Sequence, residues 1–177
     1  MAIGNTVFQQ RLRLQQKQTQ VVSFNDAKKI GLLYDATEDS DYETVKQYVK
    51  ALRTDHKEVS ALGYVDKKEL SRNQFAQLGL DFFTRKDLRW TMIPDSLEVK
   101  NFIREPFDIL INLNEGNCFP LNYITAMSKA RFRIGRYNKN HIHNFDMMIE
   151  AGNSTSLSNF IKEADKYLRI ITNKNEN

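Results

Sequence analysis

Residues 28–66 read KKIGLLYDATEDSDYETVKQYVKALRTDHKEVSALGYVD, and the changes of pattern within them decide the fold. KKIGLLYDA, residues 28–36, is a short apolar run of buried-strand length that ends in the polar loop Asp35 to Asp41. Tyr42, Val45, Val49 and Leu52 then recur at helical spacing behind Ser40 or Asp41, whose side chains can cap free amides, and this helix is expected to end near Asp55. EVSALGYVD, residues 58–66, returns to strand chemistry. A strand, a crossover of helical length and a second strand make a parallel pair with a right-handed connection.

The same alternation continues downstream. FDILINLN, residues 107–114, places Phe107, Ile109, Ile111 and Leu113 on one face and Asp108, Leu110 and Asn112 on the other. Both faces have apolar contacts to make, so this strand is expected at the centre of the sheet. Before it, Asp95 or Ser96 opens a helix carrying Leu97, Phe102 and Ile103, stopped by Pro106; after it, Leu121, Ile124 and Met127 suggest another helix. Arg131 and Arg133 alternate with Phe132 and Ile134, which predicts an edge strand over 131–135 with one wet face. FDMMIEA, residues 145–151, is read as the last strand, and Leu157, Phe160, Ile161, Ala164, Leu168 and Ile171 share one side of a terminal helix. Within 67–94, Gly79 interrupts a short helical pattern and residues 81–84 form at most a brief strand.

These readings predict an α/β protein of three layers, with a mostly parallel sheet of about five strands, flavodoxin-like or Rossmann-like. Residues 28–172 are assigned to one domain, which suits a chain of 177 residues that is 41% hydrophobic. Residues 1–27 are read as a basic N-terminal arm or short helix, and residues 173–177 as a frayed tail. The lone cysteine, Cys118, excludes an internal disulfide and fits a reducing interior. No stretch has the length of a membrane span, and the first twenty residues lack a signal-peptide apolar core, so a cytoplasmic location is expected.

Charge is unevenly distributed. The formal net charge is +4, and its excess lies in the arm and the two residues after it, where Arg11, Arg13, Lys17, Lys28 and Lys29 face Asp26 alone. From Gly116 to Phe145 there is no acidic residue, yet Lys129, Arg131, Arg133, Arg136 and Lys139 fall there. Such surfaces attract phosphate, nucleic acid or acidic proteins.

Ligands of open α/β sheets bind at the carboxyl ends of the strands. Those loops carry Asp35, Asp66, Asn112, Asn114 and Glu115, and if the first and central strands are neighbours, Asp35 and the asparagines face one crevice. Competing with this, the loop carboxylates are helix caps and solvated turns. The turn DATEDSD after the first strand has no glycine and is acidic, so it lacks the Rossmann phosphate fingerprint, and there is no Walker A motif. A receiver domain would need an aspartate where Asn112 or Asn114 ends the central strand.

Three further groupings bear on chemistry. His141 and His143, with Asp146 or Cys118, offer zinc-type ligands, but YNKNHIHNF has loop composition. Cys118 beside Phe119 and Pro120 opens a helix where a thiolate could be stabilised, against the plainer reading of an inert thiol. Phe82, Phe83, Arg85, Lys86, Arg89 and Trp90 interleave aromatics with cations, a pattern that core aromatics beside exposed cations also explain. No catalytic set, metal centre or cofactor site is assembled by these residues.

FDILINLNEG (107–116), SKARFRIGRY (128–137), FDMMIEAGN (145–153) and the helix ending KYLRII (166–171) resemble an uncharacterised bacterial α/β domain family of about 170–180 residues. The resemblance covers the chain after the arm and implies the architecture without an activity. Two functions are therefore expected to compete. One is a non-catalytic binding module engaging RNA, a ribosomal surface or an acidic protein through Arg11, Arg13, Lys17, Lys129, Arg131, Arg133, Arg136 and Lys139. The other is a small enzyme or ligand-binding domain with its pocket at Asp35, Asp66, Asn112, Asn114 and Glu115.

Overall fold

The structure, a computed structural model, describes residues 20–69, 79–115, 117–150 and 156–171. The 28–66 stretch forms β1 (Lys29–Asp35), α1 (Asp39–Thr54) and β2 (Glu58–Val65), and β1 pairs in parallel with β2 from Lys29 opposite Glu58 to Asp35 opposite Tyr64. Helix α1 begins slightly earlier than its candidate caps suggest. Glu38 is its N-cap without a side-chain bond, while Asp39 and Asp41 sit in the first turn, where carboxylates favour the positive end of the helix dipole.

The chain continues through β3 (Leu80–Thr84), α2 (Leu97–Arg104), β4 (Ile109–Asn112), α3 (Phe119–Met127), β5 (Phe132–Arg136), β6 (Met147–Ile149) and α4 (Leu157–Ile170). Ser96 rather than Asp95 caps α2, its hydroxyl accepting the Val99 N–H; Asp95 instead pairs with Arg89 and Lys100. Among the described residues the sheet has six strands in the order β3-β2-β1-β4-β5-β6, and every pairing is parallel. The count exceeds the expected five because the brief 81–84 segment is a true strand, hydrogen-bonded to β2.

Strand alternation divides the core in two. Ile30, Leu32, Tyr34, Ile109 and Ile111 pack with Tyr42, Val45 and Val49 of α1 and Phe160, Ala164 and Leu168 of α4. Leu33, Leu62 and Leu110 pack on the other face with Val99 and Phe102 of α2 and Leu121 and Ile124 of α3. Helices therefore cover both faces, two on each, making three layers. Val22, Phe24 and Ala27 also enter the first of these cores. The Lys57 ammonium ties that segment down, donating to the Phe24 and Ala27 carbonyls at 2.7 Å each and lying 4.5 Å over the Phe24 ring.

The edge assignment of residues 131–135 is corrected. Strand β5 lies between β4 and β6, so the edges are β3 and β6. Arg133 is buried, and its guanidinium grips Asp146 with two bonds of 3.0 Å while Asp146 also accepts the Arg133 N–H at 2.8 Å. An arginine at alternate strand positions marks a wet face only if nothing neutralises it; here a carboxylate entering the next strand does. Replacing Asp146 by Ala leaves a buried cation unpaired and is expected to cost about 3–5 kcal/mol of unfolding free energy in denaturant titration. Glu115→Ala, which removes the solvent-exposed carboxylate from a pair with the half-buried Arg136, is expected to cost less than Asp146→Ala.

At the amino ends of the central strands Asp108 acts as a clamp. Its Oδ2 accepts the N–H groups of Lys28 and Lys29 at 2.9 and 3.0 Å, and its Oδ1 accepts from Arg131 at 2.9 Å. Burial raises the carboxyl pKa, but the two backbone donors and the Arg131 guanidinium outweigh it and hold Asp108 below the usual carboxylate range. A depressed pKa gives stability that is complete above the unfolded value, about 3.9, and is lost as pH falls through the lower folded value. Asp108→Asn should therefore lower stability at pH 7 and flatten the acid limb below about pH 4, measured by denaturant unfolding across pH.

Candidate functional site

The pairing of β1 with β4 sets the site. Ile30 to Leu33 lie opposite Ile109 to Asn112, and the Leu113 N–H extends the ladder to the Leu33 carbonyl at 2.7 Å. Beyond this pair the two strands lead to opposite faces, β1 into α1 and β4 into α3. A crevice must open between the diverging loops. It is a cleft of about 520 Å³ lined by Asp35 and Tyr64 from the strand ends, Asp66, Asn117 to Pro120 and Asn122 at the start of α3, Thr91 and Met92, and Asn140 and His141.

Each wall has a local cause. Asp35 alternates onto the α3 face with Leu33, and its Oδ1 accepts the Thr37 N–H at 2.9 Å, folding the acidic turn back on itself. Asp66 is held by a forked bond from Arg85 at 2.6 and 2.9 Å and by the Tyr64 hydroxyl at 2.7 Å. The Arg85 bond first, then that of Tyr64, lowers the Asp66 pKa. Thr91 and Met92 come from a tight turn closed by the Met92 N–H on the Arg89 carbonyl, at 2.8 Å. Met92 takes φ of 65°, a left-handed conformation uncommon for a side chain of its size, and the Arg89 pair with Asp95 braces the turn.

Two polar atoms on these walls have no partner. Asn122 is only 5% exposed, and its amide Nδ2 makes no hydrogen bond; the Thr91 hydroxyl is likewise buried and unpartnered. Leaving a buried donor unsatisfied costs about 1–3 kcal/mol, so such groups are rare without a function. Nearby Asn112 is a contrast. Its Nδ2 donates to the Thr125 hydroxyl at 3.0 Å and its Oδ1 accepts the Asn114 N–H at 3.0 Å, which fastens β4 to α3 and shapes the following loop.

The sequence-derived pocket residues thus separate. Asp35 and Asp66 line the cleft, while Asn112, Asn114 and Glu115 line a small recess beside it that shares Asn122 and His141. Thr91, Met92 and Asn122 were not singled out from sequence. Only Asn122 left a trace there, as a polar residue in the apolar run of α3, whose central residues Pro120 to Ala126 are all buried.

The candidate anion-binding residues are distributed differently. Arg131 pairs with Asp108, Arg133 with Asp146, and Arg136 with Glu115 at 2.8 Å while its guanidinium lies 4.3 Å from the Phe160 ring. Lys129 and Lys139 are exposed. Arg11, Arg13 and Lys17 lie outside the described residues. Among the described residues no three His, Cys, Asp or Glu side chains converge on a possible metal position. His141 faces the Asn117 amide oxygen at 3.2 Å, and burial lowers its pKa so that it is neutral at pH 7, while His143 is exposed. Phe82 packs near Tyr34 and Tyr42 and Phe83 near Tyr64, on opposite faces of the sheet, so they share no platform with exposed Trp90.

Fold and cleft define an α/β domain with a crevice where its parallel sheet changes direction. The chain belongs to a family of unknown function, DUF6913, whose model matches residues 3–171. No curated protein and no solved structure matches it.

Cys118 stands at the start of α3 with its thiol in the cleft wall, where burial, reinforced by the Asp35 and Asp66 charges, pushes its pKa up to about 12. Nucleophilic thiols need the opposite shift. Alkylation of native protein by iodoacetamide at pH 7.5 should run roughly a hundredfold slower than that of the urea-unfolded chain, since thiolate is scarce in the fold. Mass spectrometry reads this directly, because the chain has one cysteine.

Proposed function

We propose that this protein is a ligand-binding domain that takes a small molecule into the cleft at the carboxyl ends of β1 and β4. The observation that carries the reading is the unpartnered, buried Nδ2 of Asn122 in the cleft wall. Three facts support it. The volume is that of small-molecule sites, which span about 300–1,000 Å³. The strand order is that of Rossmann-like doubly wound sheets, whose ligands bind at this switch point. The lining mixes apolar walls with a few polar groups, the usual composition of such sites.

The competing reading, a basic surface for nucleic acid or an acidic protein, draws less support from the described residues. Three of its five cations there, Arg131, Arg133 and Arg136, face carboxylates that cancel their field. Among the described residues the cleft pairs no activated nucleophile with a base, and binding is the function we assign to it. The free Cys118 thiol suits a reducing cytoplasm.

Thermal unfolding across a library of small metabolites tests the proposal on wild type and Asn122→Leu. The variant replaces an unsatisfied amide by an apolar group of similar volume, so unliganded it should be equally stable or more stable by about 1 kcal/mol. A ligand at a hundred times its Kd should stabilise wild type by about 2.7 kcal/mol, and leave the variant nearly unmoved. If Asn122→Leu is strongly destabilised, the amide is structural and the proposal fails; it also fails if no metabolite separates the two proteins.

A further inference from the structure

We infer that the cleft selects an uncharged nucleoside and rejects its phosphorylated forms; this rests on the cleft being a ligand site. Among the described residues two carboxylates, Asp35 and Asp66, line the cleft, and no lysine or arginine does. Arg85 reaches it only through Asp66, with both guanidinium bonds directed at that carboxylate. The turn after β1 adds Glu38, Asp39 and Asp41 at the same carboxyl end of the sheet, on the side of α1. Arg85 balances Asp66, so an incoming phosphate would meet the Asp35 carboxylate, and among the described residues no cation lining the cleft offsets it.

The start of α3 does not change this balance. Helix N-termini hold phosphate through free backbone N–H groups. Here Pro120 supplies none, and the Asn122 N–H is already bonded to the Cys118 carbonyl at 3.0 Å. Glycine, which lets backbone approach a pyrophosphate, is missing from the 35–41 turn.

What the walls do offer is complementary to a sugar and a flat base. One oxygen of Asp35 accepts the Thr37 N–H, and among the described residues no group donates to the other. A carboxylate oxygen open to a cleft accepts hydroxyl donors, and vicinal ribose hydroxyls present two. Across the cleft, Asn122 Nδ2 is a donor without an acceptor, matching a ring carbonyl or ring nitrogen, and the Thr91 hydroxyl can give or take a further bond. Tyr64, Phe119, Pro120 and Met92 supply aromatic and thioether surface for the faces of a planar ring. Removing any one of these features would weaken the match, but together they leave phosphate as the part of a nucleotide that has no partner.

Calorimetric titration with adenosine, guanosine, cytidine and uridine, each compared with its 5′-monophosphate at low ionic strength, tests the inference on the unmodified protein. At least one nucleoside should bind, with its monophosphate at least tenfold weaker. Asp35→Asn should narrow that gap, and Asn122→Leu should remove nucleoside binding. A monophosphate that binds as tightly as its nucleoside overturns the inference, as does failure of all four nucleosides. In that second case, metabolites that still stabilise wild type but not Asn122→Leu would leave the cleft a ligand site of other chemistry; their absence too would end both readings.

Discussion

Everything in this molecule depends on the parallel pairing of β1 with β4. The two strands are far apart in sequence, and their register is held at one end by Asp108, which binds the backbone of Lys28 and Lys29, and at the other by the Leu113 N–H on Leu33. Because right-handed crossovers leave this pair in opposite directions along the sheet, helices settle on both faces. The same divergence prevents the loops at the carboxyl ends from closing over each other. One pairing thus yields both the buried sheet and the cleft, and only the amino end of the pair is sealed by a charged clamp.

Much of the fold was legible because local patterns and tertiary structure agree. The apolar runs of β1 and β4 are buried on both sides, and the helical stripe of α1 faces the core as its spacing demands. The reading failed at β5, where Arg133 carries a charge that its own neighbourhood does not explain. Its partner, Asp146, follows a turn of irregular chain, and no rule of strand alternation connects residues on that scale. Pairing of a buried arginine is a property of the assembled sheet. The brief β3 was doubtful for a related reason, since five residues of strand pattern are indistinguishable from loop until a neighbour supplies hydrogen bonds.

The site was legible in its position more than in its residues. The alternation of strands and helices directs attention to the loops at the carboxyl ends of the strands, and Asp35 lines the cleft found there. Asn112 and Asn122 show why composition could go no further. Both are asparagines, both are nearly fully buried, and both belong to the β4 to α3 unit. In Asn112 each end of the amide has a protein partner and the residue is a fastener; in Asn122 the donor end has none. Amide satisfaction is decided by atoms several residues away, so sequence cannot rank the two. Thr91 was invisible for the same reason, since its turn reaches the cleft only through the packing of a segment that has little regular structure of its own.

The charge pattern of the chain acquires a different meaning once these contacts are known. Read linearly, residues 116–145 are a basic segment and residues 35–41 an acidic one, which suggests two opposed surfaces. In the fold, the arginines of the first segment are matched by Asp108, Asp146 and Glu115, and among the described residues the carboxylates of the second have no comparable set of cations opposite them. Neutralisation is therefore asymmetric. The basic segment contributes mainly to holding β4, β5 and β6 together, whereas Asp35 keeps an acceptor facing the cleft. A sheet of this strand order commonly places glycine and free amides at that turn to receive phosphate; carboxylates in their place preserve the crevice that the topology creates while removing what would hold a phosphate there.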